Sequence, residues 1–191
     1  MTRSVSVKID PMQIAELKAE LERLHSASFG WALSCCRRNA AEAEEVLQTV
    51  YLKILQRKAV FRGESKLQTW LFAVIRKTAI SERRKQWLRT LVPGTTPEAT
   101  SELESDLERT EMQRRFQQVL AKLPVRQRET LHLIFYQDLS LSEAAEVMNI
   151  SVGSARRHYE RGKKRLRATV DREGVEYGID WNRKENSSAV L

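Results

Sequence analysis

Helix breakers are scarce in this chain. Seven glycines and four prolines in 191 residues leave long stretches that nothing interrupts, and none keeps the alternation of a half-buried strand. The fold class that follows is all-α. No apolar run approaches the ~20 residues of a bilayer-spanning helix, and no apolar signal-peptide core opens the chain. A soluble, cytoplasmic protein is therefore expected. There are only two cysteines, and they are neighbours, Cys35 and Cys36. Strained geometry opposes a bridge between adjacent residues. His25, His132 and His158 show no metal-ligand spacing with them, so the expectation is two ordinary thiols in a helical interior, with no metal and no cofactor. Clustered carboxylates and a glycine-rich phosphate loop are missing too, which argues against an enzyme, a nucleotide site or a small-molecule substrate.

Positive charge, in contrast, is plentiful. Lys and Arg number 33 against 25 acids, a formal charge of +8. That balance favours a polyanionic partner, nucleic acid or an anionic membrane surface. Asp10-Pro11 suits a helix start, with Asp as cap and Pro at the first helical position, and Ile14, Leu17, Leu21 and Leu24 then share a face. Further helices are expected over residues 29–38 and 41–57, the latter burying Ala43, Leu47, Val50, Tyr51 and Ile54. Ser65 and Gln68 have capping-box spacing and open a long helix to about Trp87. The run Val92-Pro93-Gly94-Thr95-Thr96-Pro97 breaks it, and Glu98, Glu102, Glu104, Asp106 and Glu108 follow. This reads as a flexible acidic linker keeping two basic modules apart. Helix resumes near Glu111 with Met112, Phe116, Val119 and Leu120, and restarts at Leu123-Pro124 with Leu131, Ile134 and Phe135 on one face. The tail, including Tyr177, Ile179 and Trp181, has no clear pattern.

The densest signal lies between Ser140 and Leu166. Ser140 and Glu143 form another capping-box pair; Ala144, Ala145, Val147 and Met148 make a short apolar helix ended by Asn149. Ser151 caps a second helix whose buried stripe is Val152, Ala155, Tyr159, Gly162 and Leu166, at three- and four-residue steps. Its other face carries Arg156, Arg157, Glu160, Arg161 and Lys164, with Gly153, Ser154 and His158 near the start. A charged face is often plain solvated surface, but Glu160 and Asp171 are the only acids between Val152 and Arg172. A helix pair with so one-sided a face suits entry into a DNA major groove.

Two other faces invite a function. In the helix after Ser65, Leu67, Trp70, Leu71, Val74 and Ile75 form the buried side, whereas Arg76, Lys77, Arg83, Arg84 and Lys85 make the other side basic. Trp70 is expected in the core. The preceding loop holds Phe61, Arg62, Glu64, Ser65 and Lys66 around Gly63, an aromatic among polar groups that could hold an unstacked base. The helix over residues 41–57 exposes Glu45, Gln48, Thr49, Leu52 and Gln56; Leu52 stands out on that polar stripe, although single exposed leucines are common.

The ordered set of motifs resembles a known family. Ala43-Glu44-Glu45-Val46-Leu47-Gln48, Phe61-Arg62-Gly63-Glu64-Ser65, Thr69-Trp70-Leu71 and the basic run to Trp87 resemble the second conserved region of sigma-70-type initiation factors. Leu123-Pro124, Arg128, Leu139-Ser140, Glu143-Ala144-Ala145, Ile150-Ser151, Gly153 and Arg156 resemble their fourth region. The two-domain form is similar to the extracytoplasmic-function (ECF) group. The resemblance implies a region-2-like helical bundle over residues 8–92, an acidic linker over 93–110, a region-4-like helix-turn-helix domain over 111–171 and a tail of unassigned role over 172–191. It implies docking of Glu45, Gln48, Thr49, Leu52 and Gln56 on the polymerase β′ coiled coil, and of the second domain on the β flap. Phe61, Arg62, Glu64, Ser65, Lys66, Arg76, Lys77, Arg83 and Arg84 would capture the melted −10 element. Ser154, Arg156, Arg157, His158, Glu160, Arg161 and Lys164 would read the −35 duplex. An anti-sigma factor is a further implied partner. Two positions depart from the family pattern: Lys77 replaces an Asn and Asp138 a Gly. Lys77 would trade a base-directed amide for a phosphate contact, and Arg157 and His158 look more cationic than the pattern. The rival reading is a helix-turn-helix repressor or activator that dimerises on palindromic DNA; it leaves the first domain's basic helix without a role.

Overall fold

The computed structural model describes residues 11–91 and 118–173. The expected cap at Asp10, the acidic linker, Met112 and Phe116, and the tail aromatics lie outside them. No strand occurs among the described residues, which include, in order, the helices α1 (Pro11–Arg23), α2 (His25–Cys35), α3 (Ala40–Leu55), α4 (Leu67–Thr90), α5 (Val125–Phe135), α6 (Leu141–Met148) and α7 (Val152–Glu173); residues 118–121 are helical as well. The all-α expectation holds. The second helix, expected over residues 29–38, starts four residues earlier and ends sooner. Its end is a turn in which Arg37 (φ 53°) and Arg38 (φ 70°) both take left-handed backbone angles.

Local chemistry explains several boundaries. Asn39 caps α3, accepting the Glu42 amide at 3.0 Å. Ser140 and Glu143 close a complete capping box on α6, satisfying amides that a helix start otherwise leaves unpaired. Asn149 ends α6 in the left-handed region at φ 51°, which its short polar side chain tolerates. Asp138, at φ 54° in the turn after α5, does the same where the family pattern has Gly. The Ser65–Gln68 box does not form. Lys66 is the residue preceding α4, no side chain caps that helix, and the helix begins one residue too late for Ser65 to serve.

The first half packs α2 and α3 against α4. Leu47, Val50, Ile54, Leu71, Phe72 and Ile75 fill the space between them, with Trp31 fully buried at the centre. The Trp31 indole donates to the Phe72 carbonyl at 3.0 Å, so its polar atom is satisfied in the core. Cys35 and Cys36 are buried free thiols; burial pushes the Cys36 thiol up to about 12, which leaves it inert as a nucleophile at neutral pH. In the second half α5 and α7 cross closely. A Cβ on Gly162 would meet Leu131 Cδ1 at 3.1 Å, so a larger residue at this crossing would require the Leu131 side chain to give way by a few tenths of an ångström.

The two halves do not stand apart. α4 packs against α6 and α2 touches α5, and one hydrophobic cluster runs through both halves, from Leu47 and Phe72 to Leu131 and Met148. This corrects the expectation of modules held apart by the linker. Apolar faces on α2 and α4 that a lone first half would leave wet are covered by the second half.

Candidate nucleic-acid interface

The helix-turn-helix is built as its sequence pattern requires. Ser151 accepts the Ser154 amide at 3.2 Å and starts α7. Ala155, Tyr159, Gly162 and Leu166 are buried. Val152 is not; it is exposed at the helix start. On the opposite side Arg156, Arg157, Glu160, Arg161 and Lys164 are exposed, with Ser154 and His158 half-buried at the edge. Arg157 is steadied by donating to the Gly153 carbonyl and to Ser154 Oγ, both at 3.4 Å. Burial, Arg126, Arg161 and Arg157 together hold the His158 pKa below its usual value. That shift works against its adding charge to the cationic face.

The loop and α4 are less uniform. Gly63 turns the loop at φ 73°. Arg62, Glu64 and Lys66 are exposed, and Ser65 and Phe61 half-buried. Phe61 packs on Trp70 with ring centroids 5.4 Å apart. Trp70 is half-buried and, as expected, packs against the core, meeting the loop aromatic as well. Lys77 and Arg84 are exposed and Arg83 half-buried.

Arg76 contradicts the sequence expectation. Its side chain is 9% exposed and lies 3.2 Å from Glu129 of α5, itself 3% exposed. It also donates to the Met148 carbonyl at 3.3 Å, at the electronegative end of α6. Position 76 follows Phe72 by four residues and precedes Ala79 by three, so it shares their buried face. The basic side inferred for α4 is therefore split: Lys77 and Arg84 face solvent, whereas Arg76 faces the second half.

Sequence reasoning missed three residues. Ile80 and Trp87 are exposed on α4 and, by their spacing with Lys77 and Arg84, continue that solvent stripe; the spacing itself was the available signal. On α3, Glu45, Gln48, Leu52 and Gln56 are exposed and Thr49 half-buried, as expected. Leu55, 74% exposed, joins Leu52 at 54%, and beside them Leu17, Leu21, His25, Tyr51 and Ile54 line an apolar groove of about 570 Å³. No group of three or more metal-ligating side chains occurs among the described residues, and no described helix is long and apolar enough to cross a membrane.

Comparison with known proteins agrees with this geometry. The family model for sigma-70 region 2 matches residues 21–89, and that for sigma-70 region 4 matches residues 113–166. Among similar proteins, the ECF RNA polymerase sigma factor EcfG of Rhodopseudomonas palustris (strain TIE-1) is 29% identical over 153 residues, covering 74% of this chain and 79% of that protein. The ECF RNA polymerase sigma factor SigW of Bacillus subtilis (strain 168) is 28% identical over 141 residues, covering 68% and 75%. Among solved structures, the sigma factor RpoE in complex with the anti-sigma factor NepR from Bartonella quintana superposes with a TM-score of 0.67 at 24% identity, over 82% of this chain and 97% of that one. CnrH in complex with the cytosolic domain of CnrY gives 0.54 at 18% identity, over 81% and 86%. The shared fold, the two region models in their order and the ECF relatives lead to one assignment: the chain belongs to the ECF group of the sigma-70 family of RNA polymerase sigma factors.

Proposed function

We propose that this sigma factor reads a −35 element through α7 and captures the opened −10 strand with the loop before α4 and the solvent stripe of α4. The observation that carries the reading is the division of α7 into a buried apolar stripe and an opposite face of exposed Arg and Lys. Arg156, Arg157 and Arg161 are placed to pair with guanine edges and phosphates, and Glu160 to accept from cytosine N4. Lys164 adds a phosphate contact, which sets register without reading sequence.

Melting needs no nucleotide hydrolysis in this scheme. Extruding a base costs a few kcal/mol, and stacking on an aromatic returns about 1–3 kcal/mol per base. The Phe61–Trp70 pair and Trp87 supply aromatic surface; Arg62, Lys66, Lys77, Arg83 and Arg84 neutralise the strand's phosphates. The protein therefore regulates transcription through binding energy and performs no catalysis itself. Core polymerase docks on the α3 stripe of Glu45, Gln48, Thr49, Leu52 and Gln56, extended by Leu55, and the second half contacts the β flap. Two of the similar solved structures are complexes, RpoE with the anti-sigma factor NepR and CnrH with the cytosolic domain of CnrY; control by an anti-sigma factor is the corresponding reading here. Its place of work is the cytoplasm, with polymerase and chromosome.

Transcription in vitro with purified core polymerase on a fragmented genomic library tests the proposal. The expected result is a discrete set of start sites sharing two upstream elements at fixed separation. A symmetric dimer that binds palindromic DNA and ignores polymerase would overturn it.

A further inference from the structure

The turn after α2 and the segment leading into α5 bring cations of both halves to one cleft. Its volume is about 520 Å³, inside the range of small-ligand sites, about 300–1,000 Å³. Arg37 and Arg38 line it from the first half, Lys122 and Arg128 from the second. No carboxylate is among its lining residues, and Ser34 and His132 supply the other polar side chains. The cleft lies apart from the promoter and polymerase faces, since it uses no residue of the α3 stripe, of the loop and stripe of α4, or of the cationic face of α7.

Gathering like charge in a partly enclosed place is costly unless an anion joins it. Arg128 is half-buried; burial lowers its pKa, and Arg37 and Arg83 add to that against the pull of Glu129. Its guanidinium is oriented by donating to the Ala121 carbonyl at 3.3 Å, and its remaining N–H groups are suited to a planar, two-pronged acceptor. Arg37 and Arg38 hold consecutive left-handed angles, φ 53° and 70°, a conformation unfavourable to residues with a Cβ. Strain of this kind gathers at ligand clamps, where the surrounding structure enforces it. Burial and Arg38 lower the His132 pKa to about 4, so at neutral pH this ring adds a hydrogen-bonding edge and no charge.

The remaining wall is apolar, with Leu120, Leu123 and Pro124. A bare phosphate would satisfy the cations and leave this wall wet. The two walls together suit an anion with several phosphate oxygens at one end and a flat, weakly polar body at the other. Guanidinium groups pair phosphate oxygens in a two-pronged geometry, so side chains replace the glycine-rich loop that the sequence lacks.

We propose that this cleft binds a nucleoside di- or triphosphate, with Arg37, Arg38, Lys122 and Arg128 on the phosphates and the base against Leu120, Leu123 and Pro124. The nucleotide is held and not hydrolysed. Both halves contribute cations, so the site is complete only in the chain that carries both.

Calorimetric titration of the full-length chain with ATP, GTP and their diphosphates tests this, without divalent metal and at about 0.15 M salt, which screens exposed charge. Saturable one-to-one binding of at least one of them is expected. The matching monophosphate should bind about tenfold more weakly through lost charge-assisted hydrogen bonds, and inorganic tripolyphosphate about tenfold more weakly through lost apolar contact. Arg37→Asn and Arg128→Gln should each weaken nucleotide binding about tenfold; Asn tolerates the left-handed backbone at position 37. If Arg128→Gln misfolds, Arg38→Asn takes its place. Arg167→Gln removes an exposed cation outside the cleft and should bind as the parent chain does. The proposal is overturned if none of the four nucleotides binds, or if Arg167→Gln loses as much affinity as the cleft variants, which would mean general attraction to a basic chain. Tripolyphosphate binding as tightly as the nucleotides would remove the nucleoside. Binding that appears only after Glu98, Glu102, Glu104, Asp106 and Glu108 are replaced by their amides would assign the cleft to the chain's own acidic stretch, and overturns it too.

Discussion

α4 and α7 are both long helices rich in Arg and Lys, yet they spend that charge differently. α7 touches its neighbours along one narrow stripe, so its cations at 156, 157, 161 and 164 all reach solvent. α4 is enclosed by α2 and α3 on one side and by α6 on another. One of its arginines is consumed as a buried structural ion pair while Lys77 and Arg84 stay free to meet a strand. A cation on a helix is thus free for solvent and ligand or tied into the fold according to how many sides of the helix are covered. Residue type does not distinguish the two.

The sharpest way to break that contrast is Glu129→Ala. It leaves the Arg76 guanidinium buried without its carboxylate, and a loss of about 3–5 kcal/mol is expected in chemical denaturation. Arg76→Met combined with Glu129→Leu should recover most of it, because an apolar pair of similar volume can replace a buried ion pair. A double variant as unstable as the single one would show that Arg76 is not primarily a fold contact. On α7 the outcome should be opposite. Arg157→Ala and Arg161→Ala should each weaken binding to a −35 duplex by about 1–3 kcal/mol with an unchanged melting temperature, read by fluorescence anisotropy and calorimetry. Unaltered affinity would remove these residues from the interface.

Leu52→Asp asks whether the α3 stripe is functional. About a tenfold loss of affinity for core polymerase, near 1.4 kcal/mol, is expected in a competition assay, and equal affinity would reduce the stripe to plain surface. The most gradual effect is on pH. Burial and the nearby Arg38 lower the His132 pKa to about 4, below its unfolded value of about 6.5. The folded chain then binds fewer protons than the unfolded chain between those values. The stability this histidine contributes is complete above about pH 6.5 and is lost as pH falls toward 4. His132→Phe should flatten this trend in chemical denaturation across that pH range; a trend that persists in that variant would assign it to other groups.

Much of this protein was legible in its sequence because the relevant forces are local. The Ser140–Glu143 box and the Asn149 stop each depend on groups within a turn of one another, and they appear as the pattern requires. Tyr159, Gly162 and Leu166 follow from helical periodicity alone. The failures share a different cause. The Ser65–Gln68 spacing satisfied the same local rule as Ser140–Glu143, yet α4 starts one residue later, with Lys66 reaching to Glu143 on a distant helix. Arg76 read as solvent-facing because periodicity distinguishes one buried side of a helix, and α4 has two. Trp70 is not among them: it packs against the core as its periodicity requires, and also meets the loop ring of Phe61.

By itself, then, the sequence determined the helices, their caps and stops, the cationic face of α7 and the ordered motifs that mark a sigma factor. All of these are set by contacts a few residues apart. Only the tertiary structure decided which cations remain available, that Ile80, Trp87 and Leu55 are exposed beside the polar and basic faces of α3 and α4, and that the halves meet through Arg76 and Glu129. That pair is separated by 53 positions, and no periodicity reports a partner at such range; it exists because burying the shared apolar surface of α2, α4, α5 and α6 brings a cation and a carboxylate out of water together, where each requires the other.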